Sequence, residues 1–338
     1  MICLRNKVFK FPLGKLPHFS TFTVKEVKIP IPVTGGHLAG QLWQPTTAPP
    51  TPPPCPPIIC LHGIQDNSNS FNLLIPHLLL SNNLHNTPIY AFDLPGHGHS
   101  THTTSLYYHS FFDGLLSIHR IMKHFNWPKV TLLGHSLGAV ISFIFTAAWP
   151  EKVTHYIALD NLHPIPRNDP THGFQNVVAQ AFAMETKLTS SNVRPSYTHS
   201  EILQKLYNSR GGQLPLSACE ILLQRGASKI INNGEPRFRF LHDVKTNIKA
   251  SFRFLGDTNI EAMARRIASS PDLRVCIVKG DPGEDFEERE KYMKIVGILK
   301  EGLGQGCEFH LVKGGHHFHM EEEGVGRVGG ILGGFFKR

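Results

Sequence analysis

Val130-Thr131-Leu132-Leu133-Gly134-His135-Ser136-Leu137-Gly138 decides the reading of this chain. Residues 130–133 form a short continuous apolar run, the signature of a strand buried on both faces, and a longer apolar stretch follows from Ala139 to Trp149. The pentapeptide from Gly134 to Gly138 is therefore a strand-to-helix turn. Glycines two before and two after Ser136 remove the side chains that would collide in so sharp a turn. The turn leaves the serine at a helix N-terminus, where backbone N–H groups and the helix dipole favour developing negative charge. A serine placed there is a candidate nucleophile.

Outward from this turn the sequence alternates between strand and helix patterns. Ile58 to Leu61, Ile89 to Phe92 and Val153 to Leu159 read as short apolar strands, and residues 71–80 and 107–125 as helices. The alternation stops between about Pro164 and Ile267, where 200–208 and 217–225 have helical spacing and no buried strand is evident. It resumes with a strand at 273–278, a helix at 286–303, a strand at 307–312 and a helix from about Gly324. Two strand-like segments, 22–31 and 37–43, open the chain as a hairpin, and a proline-rich extended loop follows at 44–57. The expected fold is α/β: a mostly parallel central sheet with helices on both faces and an inserted helical cap. The core is expected at 1–163, including the loop at 44–57, and at 268–338, with the cap at 164–267.

Bulk properties narrow the function classes. The chain has 338 residues, 41% of them hydrophobic and 18% charged, as in globular proteins. No apolar run reaches the roughly 18 residues of a membrane-spanning helix. The formal charge is +8, but the basic residues are scattered and no nucleic-acid-reading motif accompanies them. None of the six cysteines forms a CxxC pair, and Cys60 and Cys276 fall in core strands, which favours a reducing compartment. The N-terminus lacks a signal-peptide pattern, and Pro12 and Pro17 interrupt any presequence helix. A cytoplasmic location is expected, with mitochondrial and peroxisomal locations left open.

The remaining chemistry is sought at the carboxyl ends of the strands. His62-Gly63-Ile64-Gln65-Asp66 follows the strand at 58–61, which makes the N–H groups of Ile64 and Leu137 the expected oxyanion hole. Asp93-Leu94-Pro95-Gly96-His97-Gly98 follows the strand at 89–92 and reads as a tight architectural loop. A general base must come late, and Gly314-Gly315-His316-His317-Phe318-His319 supplies it. His316 is chosen because it follows the glycine pair, with His317 as the alternative. The acid has three candidates: Asp160 at the end of the strand at 153–159, and Asp281 or Asp285 after the strand at 273–278. The usual position, about three residues past that strand's terminal glycine, is occupied by Gly283. Asp160, at a strand's carboxyl end where sites in such sheets form, is the expected acid. His97, His99 and His102 lack an accompanying ligand set, so no metal and no cofactor are expected.

These motifs together resemble the α/β-hydrolase superfamily over nearly the whole chain, and most closely the serine hydrolase-like proteins. The closer resemblance rests on 62–67, 93–98, 315–319 and the cap segment 216–226. It implies a capped serine hydrolase without a cofactor. Leu159-Asp160-Asn161-Leu162-His163-Pro164 also resembles the segment that carries the catalytic acid in some haloalkane dehalogenases, although Ser136 stands where those enzymes have an aspartate. The expected activity is cleavage of a carboxylic ester or thioester of a small apolar acyl substrate through an acyl-enzyme on Ser136. Residues Phe174, Val177, Val178, Ala181 and Phe182 of the cap either line the acyl pocket or pack the cap on the core. The rival reading is a non-catalytic ligand-binding or receptor protein on the same fold. The expected partner is a small-molecule substrate, with no nucleic acid and no transmembrane segment, and the oligomeric state is open.

Overall fold

The computed structural model describes residues 7–8, 22–46, 55–80, 84, 86–102, 111–166, 169–190, 194–248, 255–283 and 288–337. Its strands, in chain order, are β1 (Lys7–Val8), β2 (Phe22–Ile31), β3 (Gly36–Pro45), β4 (Ile58–Leu61), β5 (Ile89–Phe92), β6 (Val130–His135), β7 (Val153–Leu159), β8 (Ala227–Asn232), β9 (Glu235–Phe240), β10 (Arg274–Asp281) and β11 (Cys307–Lys313). Nine of them form one sheet in the order β1-β2-β3-β5-β4-β6-β7-β10-β11. From β5 through β11 every pairing is parallel, and β1, β2 and β3 pair antiparallel at one edge. The central strands β4, β5 and β6 are buried at every position, as the continuous apolar runs require of strands covered on both faces.

Helices α1 (Leu74–Leu80) and α9 (Glu322–Phe335) cover one face. Leu74, Leu78, Val328 and Leu332 pack there against Ile58, Cys60, Ile89 and Leu133. On the other face lie α2 (Phe111–Phe125), α3 (Leu137–Ala148), α7 (Asp257–Ala268) and α8 (Arg289–Leu303), whose Ile118, Phe143, Ile260 and Leu299 join Ile59, Leu132, Tyr156 and Ile277. The α7 placement corrects the expected cap boundary. Ile260, Ala264 and Ile267 at helical spacing are buried in the main core, so the insertion ends before Asp257.

The insertion holds α4 (Pro170–Ser190), α5 (His199–Ser209) and α6 (Leu216–Gly226), and it is not wholly helical. Strands β8 and β9 form a separate two-stranded antiparallel hairpin around Asn233 and Gly234, both at positive φ. Its core is Ile202, Leu206, Ala218, Cys219, Leu222 and Leu223, packed against Phe238 and Phe240. A capping box between Thr198 and Glu201 starts α5.

Residues 47–54 of the proline-rich loop lie outside the described residues. Cys55, Cys60, Cys219, Cys276 and Cys307 are buried free thiols. Among the described residues no helix is long and apolar enough to cross a membrane.

Candidate active site

Ser136 sits between β6 and α3 with φ 52° and ψ −117°, a conformation that costs a non-glycine residue of order 1–3 kcal/mol. The surrounding packing enforces it. A Cβ on Gly138 would collide with the carbonyl oxygen of Leu61, and one on Gly134 with the amide nitrogen of Ala139. The elbow is thus pressed against the end of β4, which brings the His62–Asn67 loop beside the serine. Leu137 begins α3, so its N–H is among those the helix leaves without an internal acceptor.

His316, in the loop after β11, accepts its orientation from Asp160 at the end of β7: Nδ1 lies 2.5 Å from Asp160 Oδ2. A carboxylate only accepts, so Nδ1 carries the proton and the imidazole lone pair lies on Nε2. Asp160 is fully buried and tightly held. Its Oδ1 accepts from the Gly280 N–H (3.2 Å) and faces Lys279 Nζ (3.8 Å), and its backbone oxygen accepts from the Tyr292 hydroxyl (3.1 Å). Ser136 and His316 line one cavity of about 180 Å³, with Gly63, Ile64, Arg210 and Gln213 on its other sides.

The other candidates are placed differently. Asp281 is exposed at the end of β10, and Asp285 lies outside the described residues. His317 points its Nε2–H at Asp66 Oδ2 (3.1 Å) instead of at Asp160. His97 and His102 spend a ring N–H each on the carbonyls of Pro95 and Leu241.

In the His62–Asn67 loop, the Asp66 N–H donates to the Gly63 oxygen (3.2 Å), closing a turn around Ile64 and Gln65. His62 ties this turn to the Asp93 loop: Leu94 N–H donates to Nε2 (2.9 Å), and Nδ1–H donates to Gly63 O (2.7 Å). Burial disfavours the charged form and keeps this imidazole neutral.

Beside the turn, Asp66 is buried, which pushes its carboxyl up, but Arg210, His317 and His135 outweigh that and hold it well below the usual range. Arg210, at the end of α5, donates to both Asp66 Oδ1 (2.7 Å) and Ile64 O (3.4 Å). A residue of the insertion therefore grips the turn that carries the Ile64 N–H.

With the strained serine, the carboxylate-bound imidazole and their common cavity in place, comparison with known proteins decides the family. A family model for the alpha/beta hydrolase fold matches residues 56–192. A Drosophila melanogaster protein named "Probable serine hydrolase" is 31% identical over 265 residues, 78% of this chain and 76% of that protein. The chain belongs to the α/β-hydrolase family, among the serine hydrolase-like proteins. Human "Serine hydrolase-like protein 2" is 28% identical over 309 residues, 88% of this chain and 90% of its own length. A solved structure of a hypothetical protein from Pseudomonas aeruginosa PAO1 superposes with a TM-score of 0.73 at 27% identity, covering 93% of this chain and 98% of that one.

Two features of this α/β-hydrolase have no local sequence signature. Arg225 of α6 is buried and donates from Nε to Asp93 Oδ2 (2.8 Å) and from its terminal nitrogens to Glu26 (2.6 and 3.0 Å). The Asp93 loop is thereby the socket for the insertion, a role beyond the tight turn its glycines suggest. Arg210 and Asp66, similarly, stand 144 residues apart. The expected cap stripe also divides: Val177 is buried against Ile248, whereas Phe174, Val178 and Phe182 are 55%, 51% and 65% exposed. None of the five lines the Ser136 cavity.

Proposed function

We propose that this chain hydrolyses an ester-type bond, a carboxylic ester or thioester, through an acyl-enzyme on Ser136. The observation that carries the reading is the pairing of a strained serine with an Asp160-bound imidazole on one cavity. His316 Nε2 takes the hydroxyl proton as Ser136 Oγ attacks the carbonyl carbon. The N–H groups of Ile64 and Leu137 hold the oxyanion. Collapse of the tetrahedral intermediate expels the alcohol or thiol with the proton from His316, leaving the acyl group on Ser136. Water, deprotonated by His316 in turn, releases the acid and restores the serine. Asp160 fixes the tautomer and stabilises the imidazolium formed in each half of the cycle.

The cavities favour a short acyl group. Next to the oxyanion residues is a mostly apolar niche of about 30 Å³, where Ile64, Leu94, Leu137, Ile141 and Ile248 are joined by His97, Asp113 and Thr246. The larger cavity carries Ser209, Arg210 and Gln213 and suits a polar leaving group. The niche, and not the α4 stripe, is the proposed acyl site.

A series of p-nitrophenyl esters from acetate to decanoate tests this. Turnover that is highest for the shortest chains and absent in Ser136→Ala is expected. A folded protein that turns over none of them, yet retains a small molecule on purification, would favour the non-catalytic ligand-binding reading.

A further inference from the structure

Asp66, His135 and His317 each bring one ligand atom to within 4.8 Å of the others, next to the Ser136 cavity. Asp66 Oδ2 is 3.1 Å from His317 Nε2 and 3.7 Å from His135 Nδ1. All three side chains are buried, yet Asp66 and His317 line the cavity and open the cluster to solutes that enter it.

The His135 tautomer makes this cluster unusual. Its Nε2 lies 2.9 Å from the His316 carbonyl oxygen, which only accepts, so Nε2 carries the proton and Nδ1 the lone pair. That buried Nδ1 has no hydrogen-bond partner among the described residues and faces the Asp66 carboxylate. Two lone pairs opposed in a dry interior repel unless a positive charge stands between them. Gly63 closes the third side: a Cβ there would stand 3.1 Å from Asp66 Oδ2, His135 Nδ1 and Ser136 Cβ, so the absence of a side chain at 63 leaves these two donor atoms facing one another.

The geometry points to Asp66, His135 and His317 as a binding site for a borderline divalent transition-metal ion of the Zn²⁺ type. Two imidazole nitrogens and one carboxylate oxygen are the donors such an ion prefers. Tetrahedral bonds of roughly 2.0–2.2 Å put donors about 3.4 Å apart, close to the 3.1 and 3.7 Å that separate Asp66 Oδ2 from the two imidazole nitrogens. Binding moves the His317 proton from Nε2 to Nδ1. The fourth position faces the cavity. Arg210 stays on Asp66 Oδ1 and opposes the ion, which limits affinity. With its ring 4.7 Å from that of His135 and 5.0 Å from that of His317, His316 would then become an imidazolium beside a second positive charge. The ion is therefore a brake on hydrolysis.

Titration of the 338-residue chain with Co²⁺ tests the site without relying on activity. One equivalent should give the intense visible bands of a four-coordinate nitrogen and oxygen site, absent from His317→Gln and Asp66→Asn and retained in His310→Gln, which alters a partly buried histidine–glutamate pair on β11. Zn²⁺ should displace the Co²⁺ and inhibit ester hydrolysis reversibly, with His317→Gln weakening inhibition roughly 10- to 100-fold. Folding of each variant is checked by thermal unfolding, and the wild-type spectrum decides alone if a variant does not fold. Only weak six-coordinate bands, no uptake, or bands that survive in folded His317→Gln would overturn the proposal and leave surface binding or a bridging water in its place.

Discussion

Asp160 and Gly283 lie against one another: a Cβ on Gly283 would stand 3.4 Å from Asp160 Oδ1. The carboxylate that orients His316 comes from the end of β7 and fills the space beside the loop after β10. An aspartate side chain at 283 would compete for that space, and its Cβ would also meet the Gly280 oxygen at 2.6 Å. One carboxylate serves the imidazole, and the glycine makes room for it.

The two aspartates should therefore behave differently. Asp160→Asn keeps the shape but not the tautomer, and should lower kcat for ester hydrolysis by about 10⁴-fold. Asp281→Asn, altering an exposed residue, should leave kcat within about twofold of wild type, since surface changes remote from the site are near neutral. A larger loss in Asp281→Asn than in Asp160→Asn would reverse the assignment.

The insertion is held down by a buried charge. Arg225→Met leaves Asp93 in the core without its guanidinium, and breaking such a pair costs about 3–5 kcal/mol. Denaturant unfolding should show that loss, and Asp93→Asn in the Arg225→Met background should recover part of it. Asp93 also accepts from the Ser68 and His99 N–H groups, so recovery should be incomplete. Unchanged stability in Arg225→Met would mean that the insertion is anchored elsewhere.

Acid should destabilise the fold well above the carboxylate range. Burial pushes His163 down to about 4, and His155 and His242 likewise to about 4. A depressed histidine is neutral when folded, so between about pH 4 and pH 6.5 the unfolded chain binds more protons and stability is lost as the pH is lowered. For His163 alone the loss from pH 7 to pH 5 is roughly 2 kcal/mol. His163→Gln should flatten the dependence of unfolding free energy on pH by about that amount, measured by urea titration at the two values. An equal slope in both proteins would show that His163 does not titrate in this window.

Much of this was legible from residue patterns. Short buried strands alternating with helices identify the sheet because a strand covered on both faces has no polar positions to interrupt it. The elbow is legible because two glycines are sterically required there. Asp160 is legible from its place at a strand's carboxyl end, from the resemblance of its segment to one that carries a catalytic acid, and from Gly283 standing where an acid is usual. Periodicity reports that a helix has an apolar face but not what covers it, so it places α7 in the insertion and leaves the α4 stripe open between pocket lining and packing. The hairpin at 227–240 was missed although Asn233-Gly234 is a turn signal, because its strands are only half-buried and show no apolar run. The Arg225–Asp93 and Arg210–Asp66 pairs, and the meeting of His135 with Asp66 and His317, join residues far apart in the chain. Such contacts leave no local trace.

Labelling with a fluorophosphonate at neutral pH, read by intact mass and peptide mapping, tests the central claim most directly. A single adduct on Ser136, lost in Ser136→Ala and formed far more slowly in His316→Ala and Asp160→Asn, is the predicted result. A folded wild-type protein that takes up no probe, or takes it up at another residue, would contradict an activated serine at this elbow.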